Sequence, residues 1–298
     1  LWQEAQRDPE KLKVFVTHVL AEPHYVQRER IEVHTLQSRA EPLPDAPPSV
    51  GLLGVTVDTQ KDRVELVTVG WGAQHEAFVL AWDAFDGDPA TDEPWDAACA
   101  HVRAMSWGLP LGFVGFDTGY LPDEVWKQHD RWKLRFHGAR MFGVKGVGGP
   151  GRQIITKPGK SADRRKRLPW TVGTDTAKDM LLSHGVRVPV PPGGPGAIHF
   201  SSDLDPAFYE QFTAESPESV RHGGRMATVW RKRDPHAANE ALDGVVYSLA
   251  CGVAMQTYFG ADLVKLASAL QAPDVAAVPT TITPKRTAWL PPRRKGWL

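Results

Sequence analysis

From Gly51 onward the chain lays out short apolar runs in an order that few architectures can accommodate. Residues 52–58, 63–71 and 76–82 are β-branched or apolar stretches separated by turn-length polar segments, the pattern of an antiparallel meander. Residues 92–107 then carry the first long helical pattern, 111–117 an apolar strand, 121–132 a second helix and 136–144 a fifth strand. A strand, helix, strand unit needs a crossover and therefore parallel pairing. The order βββαβαβ predicts an α/β fold: one mixed sheet, three antiparallel strands followed by parallel ones, flanked by helices.

Beyond this unit the pattern loosens. Residues 146–169 bring glycine, proline and the basic run Arg164-Arg165-Lys166-Arg167, which predicts a mobile loop or long hairpin. Residues 174–183 and 206–215 read as helices, 196–200 and 227–231 as strands. Asp234-Pro235 offers a capping side chain and a first-turn proline, so the periodic stretch carrying Leu242, Val246, Leu249 and Val253 is expected to start there. Ahead of the sheet, Asp8 and Pro9 open a helix, and a proline-bearing segment then resists helix and ladder pairing. The expected division is residues 1–48 as helix and linker, 49–260 as the mixed-sheet domain, and 261–298 as a basic, proline-rich tail. An opening at Leu1 rather than Met reads as a piece of a longer protein.

Composition narrows the function classes. With 42% hydrophobic and 23% charged residues among 298, the chain can bury a core, and a disordered or collagen-like polymer is excluded. Lys plus Arg equals Asp plus Glu at 35 each, so a nucleic-acid partner must be held by a local patch rather than by the net field. Cys99 and Cys251 stand far apart in sequence, which removes thiolate zinc motifs and a disulfide framework and fits a reducing compartment. No apolar run is long enough for a membrane span, and residues 1–4 do not begin a secretory signal.

Three aspartates carry the chemistry. Asp58 ends the first strand and Asp117 the fourth; as parallel neighbours, the two strands deliver both carboxylates to the same carboxyl edge of the sheet, where α/β proteins place their sites. Asp243 sits beside the apolar stripe of the late helix, with Glu240 one turn earlier, and an acid there is costly unless neutralised. Three gathered carboxylates repel, and hard divalent cations, Mg²⁺ or Mn²⁺, are their natural partners. Two such ions about 4 Å apart can activate a water and stabilise the leaving oxygen of a phosphodiester. The competing reading makes Asp58 and Asp117 turn residues and Asp243 a solvated border residue. Lys145, Arg152, Lys157, Lys160 and the run from Arg164 through Arg165 and Lys166 to Arg167 form the dense basic patch, suited to a DNA backbone or simply solvated. The G-x-G-x-x-G string at 146–151 is interrupted by Pro150, and Gly159-Lys160-Ser161 lacks a P-loop's leading glycine, so neither makes a nucleotide site.

In these stretches the sequence resembles the carboxyl-terminal half of the lambda-type large terminase subunit family, whose members package DNA in tailed bacteriophages. The similarity lies in Gly54-Val55-Thr56-Val57-Asp58-Thr59-Gln60 with Asp62-Arg63, Val69-Gly70-Trp71-Gly72, Asp117-Thr118-Gly119-Tyr120, residues 144–149, Val172-Gly173-Thr174-Asp175-Thr176-Ala177-Lys178-Asp179, Ile198-His199-Phe200 and Asn239-Glu240-Ala241-Leu242-Asp243. The resemblance implies a ribonuclease H-like nuclease fold, with Asp58, Asp117 and Asp243 as catalytic metal ligands and Asp175, Lys178, Glu240 and Asp62 as secondary candidates. It also implies double-stranded DNA as substrate, a phage portal, a small terminase subunit and an ATPase domain of the same polypeptide as partners, and the host bacterial cytoplasm as location. A non-catalytic DNA clamp or portal-docking domain, and a related recombination nuclease, are the alternatives.

Overall fold

The structure, a computed structural model, describes residues 31–105, 107–161, 167–186, 192–222 and 224–271. In chain order the elements are α1 (Val33–Gln37), β1 (Ala40–Glu41), β2 (Val50–Thr59), β3 (Arg63–Gly72), β4 (Ala77–Asp86), α2 (Glu93–Ala104), β5 (Leu111–Asp117), α3 (Pro122–Lys133), β6 (Arg140–Val147), β7 (Ile155–Thr156) and β8 (Trp170–Gly173). There follow α4 (Thr174–Met180), a wider turn over Leu181–Val186, β9 (Ile198–Ser201), α5 (Pro206–Phe212), β10 (Glu215–His222), β11 (Arg225–Lys232), α6 (Glu240–Phe259) and α7 (Leu263–Gln271). Nine strands form one sheet in the order β1-β9-β4-β3-β2-β5-β6-β8-β7, while β10 and β11 pair as a separate ribbon. The β2, β3 and β4 pairings are antiparallel; β5 joins β2, β6 joins β5 and β8 joins β6 in parallel. This is the mixed α/β sheet flanked by helices that the apolar pattern predicts.

Alternation along the strands sorts the residues onto two faces. Val55 and Val57 of β2, Val64 and Leu66 of β3, and Val114 and Phe116 of β5 pack with Trp95, Cys99 and Val102 of α2 and Val125 and Trp132 of α3. The residues between them point the other way: Val67, Val69, Trp71 and Phe113 pack with Leu242, Val246, Leu249 and Met255 of α6. Asp58 shares its parity with Thr56, Glu65 with Val67, and Asp117 with Phe113, so all three acids emerge on the face that α6 covers.

Where element limits differ from expectation, local chemistry accounts for it. Asp234 accepts the backbone N–H of His236 (2.9 Å) in a turn, and α6 begins five residues after Pro235, which puts Asp243 in its first turn. Residues 215–222, not foreseen as a strand, form β10 because they pair along their whole length with β11. The folded body also passes both expected limits of 49–260. Leu36 is fully buried, Arg39 donates to the Val186 carbonyl (2.8 Å), and β1 pairs in parallel with β9. His199 of β9 joins Glu41 (2.6 Å) to Glu76 (3.2 Å); burial alone would lower its pKa, and the two carboxylates raise it. At the other limit, α6 stops at Gly260, which takes the left-handed conformation (φ +72°) that favours glycine, and α7 returns onto β2. The helix read at residues 9–20 and the tail beyond residue 271 lie outside the described residues. Among the described residues no helix is long and apolar enough to cross a membrane.

Leu36→Ala tests whether the segment before the sheet is docked. Truncating a buried leucine costs about 2–5 kcal/mol, so the urea midpoint should fall clearly; a change below ~0.5 kcal/mol would show that residues 33–41 are not part of the cooperative body.

Candidate functional site

Parallel pairing of β2 and β5 sets Val57 opposite Phe116, so Asp58 and Asp117 leave the sheet side by side at its carboxyl edge. Asp58 is held by its own turn: its Oδ1 accepts the N–H of Thr59 (2.8 Å) and its Oδ2 the Gln60 side-chain amide (2.6 Å). Asp117 accepts the N–H of Gly119 (2.9 Å), while Thr118 spends both its N–H and its hydroxyl on the Val144 carbonyl (2.9 Å each). That double bond fixes the chain as it leaves β5, and the next turn contains Leu121 in the left-handed region (φ +43°). A strained non-glycine residue persists only where its surroundings impose it.

Asp243 arrives from the opposite layer. Gly244 brings α6 against the sheet: a Cβ there would stand 2.5 Å from Val67 Cγ2, and the Thr56 hydroxyl donates to the Gly244 carbonyl (2.9 Å). One residue before this contact, Asp243 occupies the first helical turn, where the N-terminal end of the helix favours a carboxylate. Its Oδ1 lies 2.9 Å from Lys178 Nζ and its Oδ2 accepts the Asn239 amide (2.9 Å). Lys178 also pairs with Glu215 (2.6 Å), which accepts from Asn239 as well (2.8 Å). Burial alone would lower the Lys178 pKa; Asp243 and Glu215 together raise it.

The three aspartates are coupled electrostatically. Burial first, then the Asp117 carboxylate, with Asp243 and Glu65 adding, pushes Asp58 up to about 8 despite the Gln60 hydrogen bond. Asp117 rises to about 6: burial and Asp243 raise it, against the pull of the Gly119 N–H, Tyr247 and Lys145. Tyr247, one turn beyond Asp243, places its hydroxyl 3.5 Å from Asp117 Oδ2. Among the described residues no three His, Cys, Asp or Glu side chains stand close enough together to form a ligand shell for a metal ion. The donors present are nonetheless of one kind, carboxylate oxygens whose ionisation is opposed by burial and mutual repulsion, and that set matches a hard divalent cation rather than zinc.

The remaining candidates fall in different places. Glu240, at the start of α6, faces Glu65 and keeps one buried oxygen without a hydrogen-bond partner. Asp62 is 74% exposed in the β2–β3 turn and paired with Arg63 (3.0 Å), so it does not join the acidic edge. Asp175 commits both oxygens to backbone N–H groups, of Gly149 (2.6 Å) and Trp230 (2.9 Å), and acts as a structural tie. Of the basic set, Lys145 is exposed on β6 and close enough to depress Asp117, and Lys157 and Lys160 are exposed. Arg152 donates to the Gly148 carbonyl (2.7 Å). Arg167 donates two hydrogen bonds to Asp130 (2.8 and 2.7 Å) above Trp126. Arg164, Arg165 and Lys166 lie outside the described residues. Sequence reasoning missed Glu65, buried on β3 directly opposite Asp58, with Glu215 and Asn239; an acid inside the apolar run 64–67 was the available signal for the first.

Comparison with known proteins places this arrangement. A family model described as "Terminase large subunit gpA, endonuclease domain" matches residues 1–261. The terminase large subunits of Enterobacteria phage P21 and Escherichia phage lambda are each 29% identical, over 262 and 294 residues. Those alignments cover 84% and 93% of this chain and 40% and 44% of the relatives, so the chain spans less than half the length of the curated proteins it matches. Among solved structures, the g2p large terminase nuclease domain from bacteriophage SPP1 with bound Mn is 12% identical, with a TM-score of 0.35 over 67% of this chain and 86% of that one. T. thermophilus RuvC in complex with a Holliday junction substrate is also 12% identical, with a TM-score of 0.32 over 67% and 92%. The family match runs through the whole sheet and takes in Asp58, Asp117 and Asp243, and the chain belongs to the endonuclease domain family of the terminase large subunit gpA.

Proposed function

We propose that this domain is a divalent-metal-dependent DNA endonuclease that cuts concatemeric phage DNA, with Asp58, Asp117 and Asp243 holding Mg²⁺ or Mn²⁺, two ions per site. The observation that supports the reading is that Asp58 and Asp117 leave neighbouring parallel strand ends, where burial first, then Asp117 and Asp243, raises Asp58 to about 8. When bound, the ions would supply an activated water and a counter-charge for the leaving oxygen of the phosphodiester. The protein's own part is positional. The Gly119 N–H and the Tyr247 hydroxyl orient Asp117, the Gln60 amide orients Asp58, and Lys178 with Asn239 orients Asp243. Lys145, Arg152, Lys157 and Lys160 supply positive charge for the DNA backbone. In a whole large subunit the domain would work beside an ATPase domain of the same polypeptide, with the portal and the small subunit as partners in the host bacterial cytoplasm.

Asp117→Asn should abolish nicking of supercoiled plasmid in Mn²⁺ while DNA affinity in chelator stays within about threefold, because the amide keeps the shape but holds a hard cation poorly. The paired measurement is cleavage with Mn²⁺ and binding without it, at matched thermal stability. Cleavage at the unsubstituted rate would return Asp117 to a turn residue; DNA binding with no cleavage by the unsubstituted chain would favour the clamp.

Burial, with charge repulsion added to it, also predicts a pH signature in metal-free buffer. Asp58 and Asp117 have pKa values above those of the unfolded chain, so between about pH 4 and pH 8 the folded state keeps protons that the unfolded state releases. Stability therefore falls as pH rises through that window. Asp58→Asn lacks this titration: its advantage in unfolding free energy should be smallest near pH 4, grow with pH, and level off above about pH 8. An advantage that is the same at every pH would mean that Asp58 is not held among opposing charges.

A further inference from the structure

Lys178, Glu215, Asn239 and Asp243 close a ring of contacts drawn from three separate parts of the chain, α4, the start of β10 and the first turn of α6. Lys178 Nζ stands 2.6 Å from Glu215 Oε1 and 2.9 Å from Asp243 Oδ1, and the Asn239 amide reaches Glu215 Oε1 at 2.8 Å and Asp243 Oδ2 at 2.9 Å. The Lys178 and Glu215 side chains are each only 6% exposed, whereas Asp243 is 27% exposed. Three members are thus interior, and Asp243 is the part-exposed one, although the Oδ1 that faces Lys178 is itself buried. Glu215 cannot drift, since it opens β10 and the base of the ribbon is bolted to the helix that carries Lys178. Asp175 accepts the Trp230 backbone N–H (2.9 Å) and Asp179 the Trp230 indole N–H (3.0 Å). Helix α4 therefore grips the ribbon at two points and sends Lys178 between them toward Asp243.

We propose that Lys178 and Glu215 are positioning residues for Asp243: Lys178, fixed by Glu215, aims the third carboxylate at the sheet edge and restrains how tightly it can hold a cation. This rests on the metal-dependent reading above. The two residues bear opposite charges at the same carboxylate, so their loss acts in opposite directions on cation binding. Removing the Lys178 ammonium frees an Asp243 oxygen and leaves the edge more negative. Neutralising Glu215 leaves Lys178 to Asp243 alone and makes the edge less negative. Both changes loosen the geometry, so both slow cleavage. A residue that merely fills space has no reason to produce opposite signs.

The test is Mn²⁺ binding to the chain by calorimetry, alongside single-turnover plasmid cleavage at saturating Mn²⁺. Lys178→Met should tighten Mn²⁺ binding about three- to tenfold yet slow cleavage about 10- to 100-fold, the range for residues that orient metal ligands. Glu215→Gln should weaken Mn²⁺ binding by a similar factor and also slow cleavage, and Lys178→Arg should restore most of the rate. Since Lys178→Met strands a buried carboxylate and could fail to fold, Lys178→Met with Glu215→Leu removes both charges together. That double variant should bind Mn²⁺ nearly as the unsubstituted chain does and still cut slowly. Affinities that move in the same direction in the two single variants, or a double variant that cuts at full rate, would overturn the assignment. An unsubstituted chain that binds no Mn²⁺ would overturn the metal reading itself, a failure distinct from that of the ring.

Discussion

Everything at the acidic edge depends on how closely α6 lies on the sheet. A helix packed through ordinary side chains keeps its axis about 10 Å from its partner, which would leave an aspartate on its first turn short of the strand ends. Gly244 removes the obstructing Cβ exactly where Val67 rises from β3, and the Thr56 hydroxyl takes up the Gly244 carbonyl. Farther along the same helix, the Trp71 indole donates to Ser248 (2.9 Å) in the interior. Polar contacts buried at this interface fix the helix in rotation as well as in height, and rotation decides whether Asp243 faces Asp58 or solvent.

The second constraint is charge. Three carboxylates in a shielded volume cannot all ionise cheaply, and the protein meets this in two ways. Among the described residues no cationic side chain is bonded to Asp58 or Asp117, and their affinity for protons rises, chiefly through burial. Asp243 has Lys178 at 2.9 Å. On the metal-dependent reading proposed above the consequence is asymmetric: a cation would displace protons at two carboxylates, while the third would share its oxygens between a cation and an ammonium. A site built this way responds to substitutions around Asp243 by changing how its charge is divided, which is why the surroundings of that residue, rather than the strand ends, offer the handle on metal affinity.

Strand order and the two strand-end aspartates were legible because both follow from local rules: apolar alternation fixes which residues face inward, and a parallel crossover fixes which ends coincide. Residues 111–117 show this, since the predicted strand and the observed β5 have the same limits. The start of α6 was not legible, because Asp234 and Pro235 suit a helix start and a turn equally well, and the choice was made by Asp234 capturing the His236 N–H. Nor was the ribbon: residues 215–222 carry no strand pattern of their own and become β10 by pairing with β11. Docking of Leu36 and of α7 was hidden for a similar reason, since burial of a short segment depends on distant surfaces that no local pattern records. Glu65 stands out in sequence only as an acid in an apolar run; the register that sets it opposite Asp58 gives it meaning.

The stretch from Val172 to Asp179 shows how a motif can serve a site without reaching it. Asp175, Lys178 and Asp179 lie within a single helical turn, and none of their side chains joins the strand-end pair. Asp175 ties the turn after β6 to β11, Asp179 holds the Trp230 indole, and Lys178 reaches Asp243. Their common effect is to lock the sheet's far strands, the ribbon and the start of α6 into one unit. A carboxylate carried by a first helical turn has only that turn's rigidity to rely on, and helix ends fray. Bracing Asp243 from α4 transfers the rigidity of three packed elements to it. The resemblance along this segment is therefore explained by mechanics: the residues that look catalytic by type are the ones that keep the third carboxylate from moving.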